Sequence, residues 1–195
     1  MQHWSRRSTF GGARVRTELD PQEAAVLRGL VSSVVEMLRA RADDAPTDEL
    51  SRMTGLRTGH SDRPQDDSLL RLLPDFHRLD DPAYTQDGAD REQGAYAAGA
   101  LRSLHEPEII DAKCAAAQVL LDSCPPRGGR VTLNTTQADA WLATINDVRL
   151  TLGTMLDIGP DTPDEVPEDD PRAGHLGVYH WLTFVQDSLV QSLMS

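Results

Sequence analysis

The chain has 195 residues, enough for one domain of ordinary size that buries about two-thirds of its unfolded surface. Its 31 acidic and 19 basic side chains leave a net charge of −12 at pH 7, and every basic residue except Lys113 is arginine. That balance argues against a direct nucleic-acid binder, two cysteines are too few for a disulfide-built secreted scaffold, and no apolar run approaches the roughly 20 residues of a membrane span.

Residues Met1 to Phe10 mix polar and basic types without an apolar segment, so no secretory signal is expected and the default is a soluble cytoplasmic protein. Arg7 to Phe10 and Arg14 to Leu19 flank Gly11-Gly12 and predict a hairpin. Asp20-Pro21-Gln22-Glu23 then supplies an N-cap, a first-position proline and the glutamate of a capping box. The helix that follows is expected to reach about Arg41, with Ala24, Leu27, Val31, Val34 and Leu38 on its core face. A polar stretch, Ala42 to Asp67, holds a short expected helix at Asp48 to Met53 and loop from Leu56 to Gln65. Asp67 to Leu73 predicts two helical turns, and Asp75 to Gly88 a loop.

Two helices are expected next, one over Asp90 to His105 and one opened by Pro107 at its first position, where Glu106 and Glu108 suit the positive end. Ile110, Cys114, Ala117 and Leu121 make the apolar stripe of the second, and Cys124-Pro125-Pro126 ends it. Val131 to Leu133 reads as a strand. Asn134 to Gln137 forms another capping box, opening a helix to about Leu156 with Trp141, Ile145, Val148, Leu152 and Met155 inward. The order strand, capping box, long helix thus occurs twice, which places the two strands side by side in one small sheet. Seven acids and four prolines among the fifteen positions from Asp157 to Pro171 predict a solvated linker. A last helix over about Gly174 to Met194 presents Val178, Trp181, Leu182, Val185, Leu189 and Leu193. The expected architecture is mainly α: a bundle of about five helices with a small β element, the N-terminal hairpin plus one short strand. As a single domain over 1–195, it divides into the hairpin (1–19), a helical body (20–156), the acidic linker (157–173) and the C-terminal helix (174–195).

Chemistry-bearing motifs are sparse. The six histidines (His3, His60, His77, His105, His175 and His180) are scattered, and no metal site, cofactor site or catalytic residue is expected. The chain contains no GxGxxG, GxxxxGK[ST], HExxH or Gly-x-Ser-x-Gly. Asn146, Asp147 and Arg149 form a polar cluster on a core helix, the pattern of a satisfied structural network more than of an active site. Cys114 and Cys124 are the one redox candidate. Ten residues of continuous helix rise about 15 Å, whereas a disulfide needs its Cα atoms within about 7 Å. A bond between them requires unwinding the helix end, which would make oxidation a conformational switch. Cys114 as an inert core thiol, and Cys124 as an incidental thiol or the site of an intermolecular bond in a homodimer, are the other readings.

Four segments in order carry a family likeness: Leu19-Asp20-Pro21-x-Glu23; Leu69-Leu70-Arg71-Leu72-Leu73-Pro74-Asp75; Trp141-Leu142-x-x-Ile145-Asn146-Asp147-Val148-Arg149-Leu150-x-Leu152-Gly153; and Tyr179-x-Trp181-Leu182-x-x-Val185-Gln186. Over roughly 15–194 the chain resembles the AosR-like family of actinobacterial oxidative-stress-sensing regulators, long catalogued as a domain of unknown function. The resemblance implies a cytoplasmic redox-responsive transcriptional regulator that senses oxidants through an intramolecular disulfide, here Cys114 with Cys124. It also implies action with an extracytoplasmic-function sigma factor, raising transcription of cysteine-biosynthesis genes. The expected partner is therefore a protein with a basic face, with DNA contact at most indirect. Two other classes compete: a constitutive helical adaptor without redox activity, and an enzyme with a site assembled from Asn146, Asp147, Arg149 and a histidine.

Overall fold

Backbone hydrogen-bonding needs at the chain's turns and prolines decide where its elements begin and end. The computed structural model describes residues 2–9, 12–46, 53, 55, 57–75, 88–159, 161, 162, 167 and 170–195. The elements are β1 (Ser5–Thr9), β2 (Gly12–Leu19), α1 (Pro21–Asp43), α2 (Asp67–Leu72), α3 (Gly88–Ser123), β3 (Gly129–Leu133), α4 (Thr135–Met155) and α5 (Ala173–Met194). The mainly α architecture with a small β element is as the sequence predicts. The expected helix at Asp48 to Met53 lies, apart from Met53, outside the described residues.

The chain divides into two compact units, Met1–Glu36 with Lys113–Ser195, and Met37–Ala112. The first contains the sheet, an antiparallel three-stranded array in the order β1-β2-β3. β1 pairs with β2 from Ser5↔Arg16 to Thr9↔Gly12, and β2 with β3 from Val15↔Leu133 to Leu19↔Gly129. The two strands that feed long helices are neighbours, as their shared pattern predicts. Both capping boxes form. Glu23 N–H donates to Asp20 Oδ1 and Asp20 N–H to Glu23 Oε2, each at 2.8 Å. Gln137 N–H donates to Asn134 Oδ1 at 2.8 Å and Asn134 N–H to Gln137 Oε1 at 3.0 Å.

Alternation along the strands turns Val15, Thr17, Leu19, Val131 and Leu133 inward. They meet Leu27 and Val31 of α1, Trp141, Ile145 and Val148 of α4, and Leu182, Val185 and Leu189 of α5 in a buried core. Trp4 packs edge-on against Trp141, with ring centroids 5.5 Å apart. Two expected core positions are corrected: Leu120 replaces Leu121 as the buried residue of α3, and Met155 is 72% exposed at the end of α4. In each case the neighbouring position takes the core place, Leu120 in α3 and Leu156 at the end of α4, while Cys114, Val178, Trp181 and Leu193, also expected inward, are half-buried.

The larger correction is at Pro107. It does not open a second helix; α3 runs unbroken through it. An interior proline removes the donor for the carbonyl four residues back, typically at a cost of ~3 kcal/mol. That carbonyl is Ser103 O, and Gly59 N–H donates to it at 2.7 Å. Gly59 lies flat on the proline ring: a Cβ there would meet Pro107 Cδ at 3.0 Å and Cγ at 3.1 Å. A glycine from a distant loop supplies the hydrogen bond the helix cannot make for itself. Among the described residues no helix is long and apolar enough to cross a membrane.

Candidate functional site

The end of α3 poses the same problem as its middle. Cys124 N–H still closes a helical bond to Leu120 O at 2.8 Å. The next donors would be residues 125 and 126, both proline, so Leu121 O and Asp122 O have no helical partner. Arg28 of α1 answers for one of them. Its Nη1 donates to Leu121 O and, at 2.7 Å, to Cys124 O. Trp141 Nε1 of α4 donates to Ser123 Oγ at 2.8 Å, and Ser123 Oγ donates to Val119 O at 2.6 Å. Gly128, at φ +74, brings the following turn against the start of α1, its missing Cβ only 2.6 Å from Asp20 C and 2.7 Å from Pro21 N. The last turn of α3 is therefore held by an arginine, a tryptophan and a glycine rather than by its own sequence.

Cys114 lies on α3 and Cys124 is the residue that follows its end, and both are thiols. Cys124 is 1% exposed. Burial pushes its thiol up from the ordinary value, against the weaker opposing pull of the Arg28 charge and hydrogen bond. A thiol so placed is protonated at neutral pH and a poor nucleophile until it is uncovered. Cys114 is half-buried and stands mid-helix beside Lys113. Because α3 is helical from one to the other, the structure holds the pair about 15 Å apart along the axis. The structure thus places Cys114 on α3 and Cys124 just after it but does not bring their sulfurs together.

Lys113 Nζ meets Asp147 Oδ1 at 2.6 Å, tying α3 to α4 one residue before Cys114. Burial pushes the Asp147 carboxyl up, while the hydrogen bond and charge of Lys113 pull it down. Arg149 turns the other way. Its Nε donates to Thr183 Oγ1 at 3.1 Å and its Nη1 to Gln186 Oε1 at 2.6 Å, and the guanidinium sits 5.2 Å from the Tyr179 ring centre. Asp147 and Arg149 are consumed by different helices, and Asn146 is half-buried beside them, so the three do not converge on a common point. Described histidines are similarly dispersed: His3 stacks edge-on with Phe184 and His60 Nε2 lies 3.0 Å from Arg41 O. His77 is outside the described residues. Among the described residues no cluster of three metal-binding side chains occurs.

Sequence reading missed the unit over Met37–Ala112 as a polar centre. Glu106, 1% exposed, accepts from Arg41 Nε at 2.9 Å and from Arg102 Nη1 at 3.0 Å. Arg102 also donates to Leu73 O at 3.2 Å and to Asp75 Oδ1 at 2.6 Å, and Asp75 meets Arg63 at 3.0 Å. The spacing of Arg102 and Glu106, one helical turn apart, was the available signal. Arg28 carried no signal except its place beside the α1 stripe.

The fold is a capped three-stranded sheet with long helices, and the two thiols lie on and just after the last third of α3. The chain belongs to the family described as "Domain of unknown function (DUF2017)", whose model matches residues 1–193. It is 48% identical over 198 residues to the Mycobacterium tuberculosis protein "Oxidative stress regulator AosR", covering all of this chain and 88% of that one. The Mycobacterium bovis protein of the same name matches equally. A "Putative oxidative stress regulator AosR" of Mycobacterium leprae is 44% identical over 196 residues, covering all of this chain and 89% of that one. No solved structure matches the chain.

Proposed function

We propose that this protein is a non-enzymatic regulator of the response to oxidative stress, switched by a bond between Cys114 and Cys124. Its full-length similarity to proteins named oxidative stress regulators supports the regulatory role. The observation that carries the switch is the position of the chain's two cysteines on and just after the last third of one helix whose end is closed by tertiary bonds. The oxidant is of the peroxide class. Cys114, the more accessible sulfur, attacks the O–O bond as a thiolate and becomes a sulfenic acid, releasing one water. The Cys124 thiol then attacks that sulfur, forming the S–S bond and releasing a second water. Two thiols lose two electrons and two protons in all, and one peroxide is reduced.

Closing the bond unwinds the last two turns of α3 and frees the faces of α1 and α4 that hold them. That change of surface is the output, read by a protein partner. A chain of net charge −12 suits a partner with a basic face. The family likeness makes an extracytoplasmic-function sigma factor the partner of choice, with the protein acting in the cytoplasm. Peroxide treatment followed by intact mass and thiol counting under non-reducing conditions tests the reading. Loss of both thiols within a monomer supports it; retention of both, or dimers alone, overturns it.

The deep burial of Cys124 favours a second reading, a constitutive helical interaction module. It predicts that changing both cysteines to serine leaves partner binding and oxidant survival untouched.

A further inference from the structure

We infer that Arg28 is a latch that sets how fast Cys124 becomes available, and so sets the oxidant threshold of the protein; its regulatory meaning rests on the disulfide reading above. Pro125 leaves Leu121 O without a helical donor, and Arg28 Nη1 fills that place while also holding Cys124 O at 2.7 Å. One guanidinium nitrogen thus joins the last helical turn to the residue whose side chain is covered. Ser123, between the two carbonyls, is fixed from the other side by Trp141 Nε1 at 2.8 Å.

Opening this turn therefore breaks a small, countable set of bonds. Arg28 contributes two of them to backbone oxygens, and it belongs to α1, a different element from the cysteines. Leu121 O has no helical donor because residue 125 is a proline, and Gly128 N–H, four residues after Cys124, donates to Pro125 O instead. Removing the guanidinium leaves two part-buried carbonyls without that donor, and opening the turn gives water full access to them. The open state, in which Cys124 is exposed and the helix no longer separates it from Cys114, is thereby favoured. Local opening of this kind is a distinct equilibrium from global unfolding.

The test uses the full chain carrying Cys114→Ser, so that a maleimide reports Cys124 alone. The Arg28→Met variant is expected to label about tenfold faster or more, and Arg28→Lys, which keeps one charged donor, at a rate in between. Labelling is repeated at low urea concentrations. A rate that scarcely changes with urea identifies local opening and supports the latch; a rate that climbs with the full slope of global unfolding overturns it. Amide exchange should quicken at Leu121 to Cys124 in Arg28→Met and not at Thr17 or Val131 of the sheet. Labelling within twofold of the parent also overturns the latch. The chain with both cysteines separates this from the disulfide reading. Peroxide that forms the Cys114–Cys124 bond equally fast with Arg28 or Met at 28 refutes the latch and leaves that reading standing. Fast maleimide labelling with no disulfide in either chain sinks the redox reading and keeps Arg28 as the guard of Cys124.

Discussion

Gly128→Ala is expected to destabilise the protein by about 2–5 kcal/mol. Two costs add. Gly128 sits at φ +74, where an L side chain strains the backbone, typically by about 1–2 kcal/mol. The new Cβ would also lie 2.6 Å from Asp20 C, 2.7 Å from Pro21 N and 2.8 Å from Leu19 O. All three are backbone atoms at the junction of β2 and α1, which the Asp20–Glu23 capping box holds in place, so no rotamer change relieves the contact. Overpacking of this sort costs about 1–3 kcal/mol. Gly55 is the internal control: its φ is +71, nearly the same, but nothing lies within 4 Å of its Cβ position. Gly55→Ala should therefore show the strain alone, about 1–2 kcal/mol. Urea denaturation followed by far-UV circular dichroism measures both. With slopes of about 1–3 kcal/mol per molar urea, the Gly128→Ala midpoint falls well below that of Gly55→Ala. Equal midpoints would refute the claim that the turn after α3 is seated on the start of α1.

Glu106→Ala strands the Arg41 and Arg102 guanidiniums and should cost about 3–5 kcal/mol, with Glu106→Gln losing less; a loss from Glu106→Ala below ~1 kcal/mol in denaturant titration would contradict the buried network. Trp141→Phe deletes the donor to Ser123 Oγ and leaves a cavity where the fully buried indole sat, so the expected loss, measured the same way, exceeds the ~1 kcal/mol of the hydrogen bond alone. Because burial raises the Cys124 thiol pKa, the unfolded chain releases that proton at a lower pH than the folded one. The stability it contributes is therefore complete below the ordinary thiol value of 9.0 and declines as pH rises through the folded value. Cys124→Ala should flatten that alkaline decline, read as midpoints across pH 8 to 10.5, and an unchanged slope would exclude Cys124 as its source. Lys113→Met leaves Asp147 buried without its ammonium. The penalty should be largest at neutral pH, where the carboxylate is charged, and shrink on acidification as Asp147 takes up a proton; a pH-independent penalty argues against a charged Asp147 in the fold.

What the sequence made legible was local. Asp20 and Asn134, each followed three residues later by Glu23 or Gln137, announced both helix starts, because a capping box is satisfied within four residues. Helical spacing likewise found much of the helical core, from Leu27 to Leu189. The errors at Pro107 and at the polar centre on Glu106 share a cause, a partner far away in sequence: Gly59 for Pro107, and for Glu106 the Arg41 that joins its near neighbour Arg102. Nothing near Pro107 says that Gly59 will donate to Ser103 O, and nothing near Cys124 says that Arg28 will donate to Leu121 O. Cys114 and Cys124 were visible as the chain's cysteines, and the helix between them as a barrier. The strength of that barrier was not visible, since it is set by Arg28, Trp141 and Gly128.

Pro107 inside α3 and Pro125 just beyond its end take on different roles from one chemical fact. Each deletes a donor and orphans the carbonyl four residues earlier. At Pro107 the substitute is a backbone N–H from Gly59, pressed against the proline ring where a side chain has no room. That bond has no titratable or flexible part and keeps the helix whole. At Pro125 the substitute is the tip of a long arginine side chain. An arginine tip can withdraw, with several rotatable bonds to recover in entropy, without disturbing the rest of α1. A helix meant only to be stable would end on a glycine cap that closes its own carbonyls. Ending on Cys124-Pro125-Pro126 makes closure depend on a removable group, and it places the covered thiol at the point where closure fails first. Under the proposed disulfide switch, an oxidised Cys114 gains a partner only through that failure, which would make the stability of the last turn of α3 and the sensitivity of the protein to oxidant the same quantity.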